Sequence, residues 1–262
     1  MKKINSDLRI KIAEMVKRSG EGHIPSSYSI VDIINYLYEN ILKYDIKNIE
    51  SEDRDYFILS KGHGCGALYV VLNKFGFLSE KDILDYSTSK GILGGHPDMT
   101  IVPGAEASTG SLGHGFPTAM GLALGLRIKN KDNRVFALMG DGECHEGTIW
   151  ESANVGANLE LGNLCGIVDW NKSASQLMPL DKLNEKWKAF GWEVHEVDGH
   201  SNSDLKKCFS NLKFNKTGKP KVIIAHTTKG KGVSFMENQV KWHYKSPNTK
   251  ELSIAIKEID NA

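Results

Sequence analysis

The sequence predicts one α/β domain, a parallel sheet with helices on both faces, and three features lead to it. Its strand-length runs are apolar almost without interruption, as parallel strands covered on both faces require. Segments of helical period separate those runs. No repeat, low-complexity tract or Pro/Gly/Ser-rich linker divides the 262 residues, and with 40% of them hydrophobic the chain can bury one large core.

Taken in order, apolar spacing predicts helices over Ile4–Lys17 and Ile30–Leu42, then a strand at Tyr56–Leu59. Helices follow over Gly64–Phe75 and Gly113–Lys129. Arg134–Met139 reads as a strand, the stretch from about Glu146 through Ile149, Trp150, Ala153 and Ala157 as a helix, and Leu164–Trp170 as the next strand. Strands at Trp192–Val197 and Lys221–Thr227 close the set, with a helix over Ser203–Phe214 between them. Open parallel sheets bind ligands at the carboxyl ends of their strands, so chemistry is expected in the loops that follow them.

Charge narrows the class of partner. With 33 basic and 32 acidic residues and a net charge of +1, no basic field points to nucleic acid or an anionic membrane, which leaves small molecules or protein. Cys65, Cys144, Cys165 and Cys208 form no CxxC pair and read as reduced thiols of a cytoplasmic protein. The N-terminus Met1-Lys2-Lys3-Ile4 runs into an amphipathic segment with Asp7, Arg9, Lys11 and Glu14 and lacks the apolar stretch of a signal peptide. No segment reaches the roughly 18 apolar residues of a membrane span.

The strand ending at Met139 runs straight into Gly140-Asp141-Gly142-Glu143 and then a helix. Glycines let backbone approach a diphosphate, a helix N-terminus offers free amides to the anion, and Asp141 supplies the hard oxygen that Mg²⁺ takes. A lone Gly-Asp-Gly is more often a plain strand-to-helix turn with a capping Asp. Here a second loop accompanies it: Leu164–Val168 ends in Asp169-Trp170-Asn171 after one crossover of βαβ length. Asp141 and Asn171 are therefore expected to flank one ion.

This pair resembles the motif of thiamine-diphosphate enzymes, and more narrowly the chain resembles the N-terminal half of transketolases. Further blocks stand in the family's order: Ser19-Gly20-Glu21-Gly22-His23, Leu59-Ser60-Lys61-Gly62-His63, Gly94-Gly95-His96-Pro97, Pro103-Gly104-Ala105-Glu106, Thr109–Gly115, Thr228-Lys229-Gly230-Lys231-Gly232 and Trp242-His243. The resemblance implies the family's PP domain, the diphosphate-binding fold, over residues 1–262, with the pyrimidine-binding and C-terminal domains absent. It implies Mg²⁺, or another divalent ion such as Ca²⁺ or Mn²⁺, on Asp141, Asn171 and the Ser173 carbonyl. It further implies thiamine diphosphate against His63, His243, Lys229, Gly140, Gly142 and Glu143, with its aminopyrimidine near Gly110 and Leu112. His23 and His96 are implied at the substrate hydroxyls, moving protons, a task suited to imidazole. His145, His195, His200 and His226 have no such support and read as structural, and Cys144 as a bystander.

Departures from the family are His114 and His145 where Gln is usual, Pro25 where Gly is common, and the polar run Lys172–Gln176. They bear on substrate rather than cofactor. In the family, the Glu that activates the aminopyrimidine and the arginines that grip a sugar phosphate lie in the second domain. The expectation is hence the N-terminal half of a two-chain transketolase, acting on sugars or sugar phosphates. It would pair with a separate C-terminal subunit in an α2β2 assembly, with Glu146 and Glu151 at the contact. A non-catalytic relic and the α-subunit of a 2-oxo acid dehydrogenase are the competing readings.

Overall fold

In the computed structural model, residues 5–261 are described; Ile4, the expected start of the first helix, lies outside them. Five parallel strands, β1 (Tyr56–Leu59), β2 (Val135–Gly140), β3 (Leu164–Trp170), β4 (Glu193–Asp198) and β5 (Lys221–His226), form one sheet in the order β1-β2-β3-β5-β4. Register pairs Val135 with Leu164 and Gly140 with Asp169, so the ends of β2 and β3 lie side by side.

Side chains alternate across the sheet and build two cores. Phe136, Leu138, Cys165, Ile167 and Ile223 face one, and Val135, Ala137, Met139, Leu164, Val168, Val222 and Ile224 face the other. Helices α1 (Ser6–Ser19), α2 (Ile24–Tyr36), α3 (Cys65–Lys74), α8 (Asn202–Asn211) and α9 (Thr249–Asn261) contribute to the first; α5 (Gly115–Ile128), α6 (Gly147–Asn158) and α7 (Leu183–Ala189) cover the second. The fold class read from the sequence is thus the one observed. Both faces being covered explains why β2, β3 and β5 read as continuous apolar runs, whereas edge strand β4 carries Glu193, His195 and Glu196.

The second helix begins earlier than Ile30. Pro25 occupies its first turn, where a missing N–H costs nothing, His23 caps it with φ 67°, and every residue of α2 is buried. A π-helical turn over Leu37–Ile41 then finishes the segment. Likewise α5 starts at Gly115 and not Gly113, which has φ 82°. The sequence pattern does not predict α7, α9 or the short helix α4 (Glu80–Leu84), which is set by a capping box from Ser79 and Asp82.

Candidate active site

Four of the strands end at one rim. Beyond β2 lies Asp141–Glu143, beyond β3 Asn171–Ala174, beyond β5 Thr227–Lys229, and beyond β1 a tight turn at Gly62–Gly64. A cavity of about 280 Å³ opens among them. Gly140, Asp141, Gly142, Glu143, Asn171, Ser173 and Ala174 line it from the loops after β2 and β3, together with Ser26, Lys61, His63, Leu112, Lys229 and His243 and the exposed Leu177 and Val240.

Glycine is required at two points beside it. A Cβ on Gly62 would sit 2.7 Å from the Thr109 backbone carbon, so the turn bearing His63 lies directly against the Thr109–Gly110 loop. Gly110 has φ 153°, and a Cβ there would approach the His96 ring to 2.9 Å.

Asp141 accepts the Gly142 N–H at 2.9 Å and the Ala174 N–H at 3.3 Å, which ties the β2 loop to the β3 loop. Burial, with the nearby Asp169 carboxylate, pushes its pKa up: the anion is short of positive charge. Asn171 is 7% exposed; its Nδ2 donates to Asp169 at 2.8 Å and its Oδ1 accepts from the Ser173 N–H at 2.9 Å. Among the described residues no cluster of three or more His, Cys, Asp or Glu side chains could hold a metal. One carboxylate and one amide oxygen nevertheless suit Mg²⁺, which keeps water and phosphate oxygens as its remaining ligands.

The basic residues of the lining have the reverse imbalance. Lys229 donates to Ser173 Oγ at 2.9 Å and to His243 Nδ1 at 3.0 Å, and burial with the neighbouring Lys61 lowers its pKa to about 8. His63 falls to about 2 through burial and the charges of Lys61, His23, Lys229 and His243; His23 falls to about 4 through burial and the same kind of neighbours; His243 is lowered as well. The rings of His23 and His63 are 5.3 Å apart and those of His23 and His243 5.4 Å. Crowded basic groups, each driven toward its neutral form, are matched by a polyanion such as a diphosphate.

Of the residues singled out in the sequence, His63, Leu112, Gly140, Asp141, Gly142, Glu143, Asn171, Ser173, Lys229 and His243 line the cavity. His23 adjoins through its ring contacts, and His96 lies against Gly110. Glu146 and Glu151 stand apart, exposed at the start of α6. The Glu143 side chain is 1% exposed and turns into the protein, accepting from Ser60 Oγ, from Gly113 N–H at 2.9 Å and from Gly140 N–H at 3.1 Å. Trp150 Nε1 donates to the Cys144 carbonyl at 2.8 Å, bracing the same loop from behind. His114 is exposed and bonds locally to Ser111.

Sequence reasoning missed Ser26, Lys61 and Asp169 at the site and His200 behind it. A charged residue inside an apolar strand, as Asp169 is, signals a buried partner. His200 gave no local sign.

Fold and cavity together define an α/β protein whose sheet edge is built for a phosphate-bearing cofactor. The family described as "Transketolase, thiamine diphosphate binding domain" matches residues 1–258, and the chain belongs to this transketolase family. It is 36% identical over 256 residues to an apulose-4-phosphate transketolase subunit of Phocaeicola vulgatus, covering 96% of this chain and 90% of that protein. It is 35% identical over 253 residues to the 6-deoxy-6-sulfo-D-fructose transketolase subunit SqwG of a Clostridium species, covering 94% and 91%. The solved transketolase from Campylobacter jejuni superposes with a TM-score of 0.90 at 26% identity, and that from Leishmania mexicana with 0.87 at 26%. These cover 98% of this chain but 42% and 44% of the solved ones, so the chain spans less than half their length. Among the described residues no helix is long and apolar enough to cross a membrane.

Proposed function

We propose that the chain, as a single PP domain, is the diphosphate-binding half of a two-chain, cytoplasmic transketolase. With a separate pyrimidine-binding subunit it transfers a two-carbon ketol unit from a ketose or ketose phosphate to an aldose. The observation that carries the reading is one cavity lined together by Asp141, Asn171, Lys229, His63 and His243. Relatives that are themselves named as transketolase subunits, matched over nine-tenths of their length, support a partner chain, and the assembly we propose holds two copies of each. Four unpaired buried cysteines suit a reducing compartment.

Asp141, Asn171 and the Ser173 carbonyl would hold Mg²⁺, and Lys229, His63 and His243 would take the diphosphate, with Gly140 and Gly142 allowing its close approach. Thiamine diphosphate, when bound, supplies carbanion stabilisation. His23 and His96 hold and exchange protons with substrate hydroxyls; burial and neighbouring charges lower the His23 pKa to about 4, so it meets the substrate as a neutral imidazole. Glu146 and Glu151 meet the partner.

The test is calorimetric titration of thiamine diphosphate with Mg²⁺ into the chain co-expressed with the product of the adjacent gene, together with a ketol-transfer assay. Asp141→Ala and Asn171→Ala are each expected to weaken cofactor binding by at least about 100-fold, the order of about 3 kcal/mol for one lost contact to a charged group. Unchanged affinity in both, or full turnover by the chain without a partner, overturns the reading.

A further inference from the structure

Glu21 and Tyr244 lie just beyond the cavity lining, and nothing proposed above for the cofactor or the partner uses them. The His63 and His243 rings line the cavity, the His23 ring sits 5.3 and 5.4 Å from them, and the Tyr244 ring meets His23 edge-on at 4.8 Å. Tyr244 Oη donates to Glu21 Oε2 at 2.9 Å, and Ser87 Oγ donates to Glu21 Oε1 at 2.9 Å. Gly22 lets the two segments meet, since a Cβ there would lie 2.6 Å from Tyr244 Cδ2 and 2.9 Å from its Cα. A Cβ on Gly95 would lie 3.6 Å from Glu21 Oε2, so the carboxylate also stands beside the loop that carries His96.

These two bonds fix Glu21 but leave it a charge and spare lone pairs. Both donors are neutral hydroxyls, and they occupy two of the roughly four acceptor positions of a carboxylate. Among the described residues no cation pairs with it: Lys245 turns to Glu251 and the Trp242 ring, and Arg18 to the Ile83 carbonyl. Tyr244 is 63% exposed, so the pair is met from solvent. A carboxylate of this kind accepts from hydroxyls and repels a phosphate or sulfonate.

We propose that Glu21, set in place by Tyr244, is a specificity residue: it accepts from a hydroxyl on the part of the sugar beyond His23 and keeps anionic groups out of that position. The proposal rests on the ketol-transfer reading above, in which His23 and His96 face substrate hydroxyls. Tyr244 and Glu21 follow His23 on the line leading away from the cavity, so they meet the tail of the sugar and not its reacting carbons. The sugars favoured are those whose tail presents free hydroxyls here, and a phosphate close behind the reacting carbons is disfavoured.

The experiment lets D-glyceraldehyde and D-glyceraldehyde 3-phosphate compete as acceptors for the chain co-expressed with the product of the adjacent gene. The donor is whichever ketose gives the highest turnover, and it cancels from the ratio of the two kcat/KM values. Glu21→Gln is expected to raise the preference for the phosphorylated acceptor about tenfold, the effect of removing one charge about 8 Å from a phosphate in a largely aqueous setting. Glu21→Ser is expected to give the same shift and keeps the test open should the amide disturb the fold. Glu21→Asp, which keeps the charge, should stay near the wild-type ratio, and Tyr244→Phe, which frees the carboxylate to swing away, should fall between. Raising KCl from about 0.05 to about 0.5 M is expected to shrink the gap between wild type and Glu21→Gln, a change that a purely structural role would not produce. Thiamine diphosphate affinity, read by calorimetry, is expected to hold in every variant, since neither residue lines the cavity. A wild-type ratio in the folded Glu21→Gln assembly overturns the proposal and leaves ketol transfer standing. No transfer by the wild-type assembly from any ketose or ketose phosphate overturns that reading, and the proposal with it.

Discussion

His200 Nε2 accepts the backbone N–H of Thr228 at 2.9 Å, and the other ring nitrogen, Nδ1, donates to Asp32 at 2.7 Å. The tautomer is settled by these two bonds, since a nitrogen that accepts carries no proton. Arg9 grips the same Asp32 through 2.5 and 3.0 Å contacts; although burial alone would raise its pKa, Arg9 and His200 hold it below the usual range. A line of contacts thus runs from α1 through α2 to the loop that carries Lys229.

His200→Ala is expected to weaken thiamine diphosphate binding about tenfold, the worth of one hydrogen bond lost from the Lys229 loop. Asp32 keeps Arg9, so the chain stays folded. Titration calorimetry beside a thermal melt separates the two effects. A falling melting temperature with unchanged affinity would make His200 purely structural.

Binding of the cofactor at pH 8 is expected to take up protons. Lys229, lowered to about 8, is close to half neutral there, and an arriving diphosphate favours its charged form. Calorimetry in two buffers of different ionisation heat reads the uptake directly. In Lys229→Met it should shrink by roughly the half proton that Lys229 takes up.

Stability of the unliganded chain is expected to fall as pH drops from about 6.5 toward 4. The sign follows from His23 and His63, whose folded pKa values of about 4 and about 2 lie below the ordinary 6.5, so that within this window the unfolded chain binds protons the folded chain refuses. Asp141 and Glu143, raised by burial, act in the opposite sense. Urea unfolding across this window with His23→Asn/His63→Asn isolates the imidazoles; a slope unchanged in that variant would exclude them.

Glu143→Ala is expected to destabilise the chain by at least about 2 kcal/mol, since it orphans the Ser60 hydroxyl and the Gly113 and Gly140 amides together. Glu143→Gln, which can still accept, should cost less. Chemical denaturation gives both values, and equal losses would show that shape matters here more than charge.

Glu146→Ala and Glu151→Ala are expected to leave the stability of the isolated chain nearly unchanged, within about 0.5 kcal/mol, because both side chains are exposed. In the assembly with a partner they should lower turnover at least about tenfold, through carboxylates buried only at that contact. Wild-type turnover in both would remove these residues from the interface.

The sheet was legible because β2, β3 and β5 are covered on both faces and so are written as unbroken apolar runs. The crossover from Gly142 to Asn171 needed only its length, and β2 and β3 are indeed neighbours. Helix α9 was hidden because it rests on the core through Ala255 and Ile259 amid Lys250, Glu251, Lys257, Glu258 and Asp260. The site was legible where glycines and histidines come in blocks. Lys61 and His200 were not, because their partners Asp169 and Asp32 lie 108 and 168 residues away, beyond any local window.

Trp150, whose indole N–H is fastened to Cys144 in the loop after β2, stacks at 5.4 Å on Phe190 and lies 5.3 Å from Trp187, which in turn meets Trp192 at 4.9 Å. The protein carries a built-in optical gauge. A ligand that tightens or shifts the Asp141 loop acts on an indole that touches Trp187 and, through it, Trp192. Occupancy of the cavity is therefore expected to change the ultraviolet emission of the unlabelled chain, a signal readable before a substrate or partner is in hand.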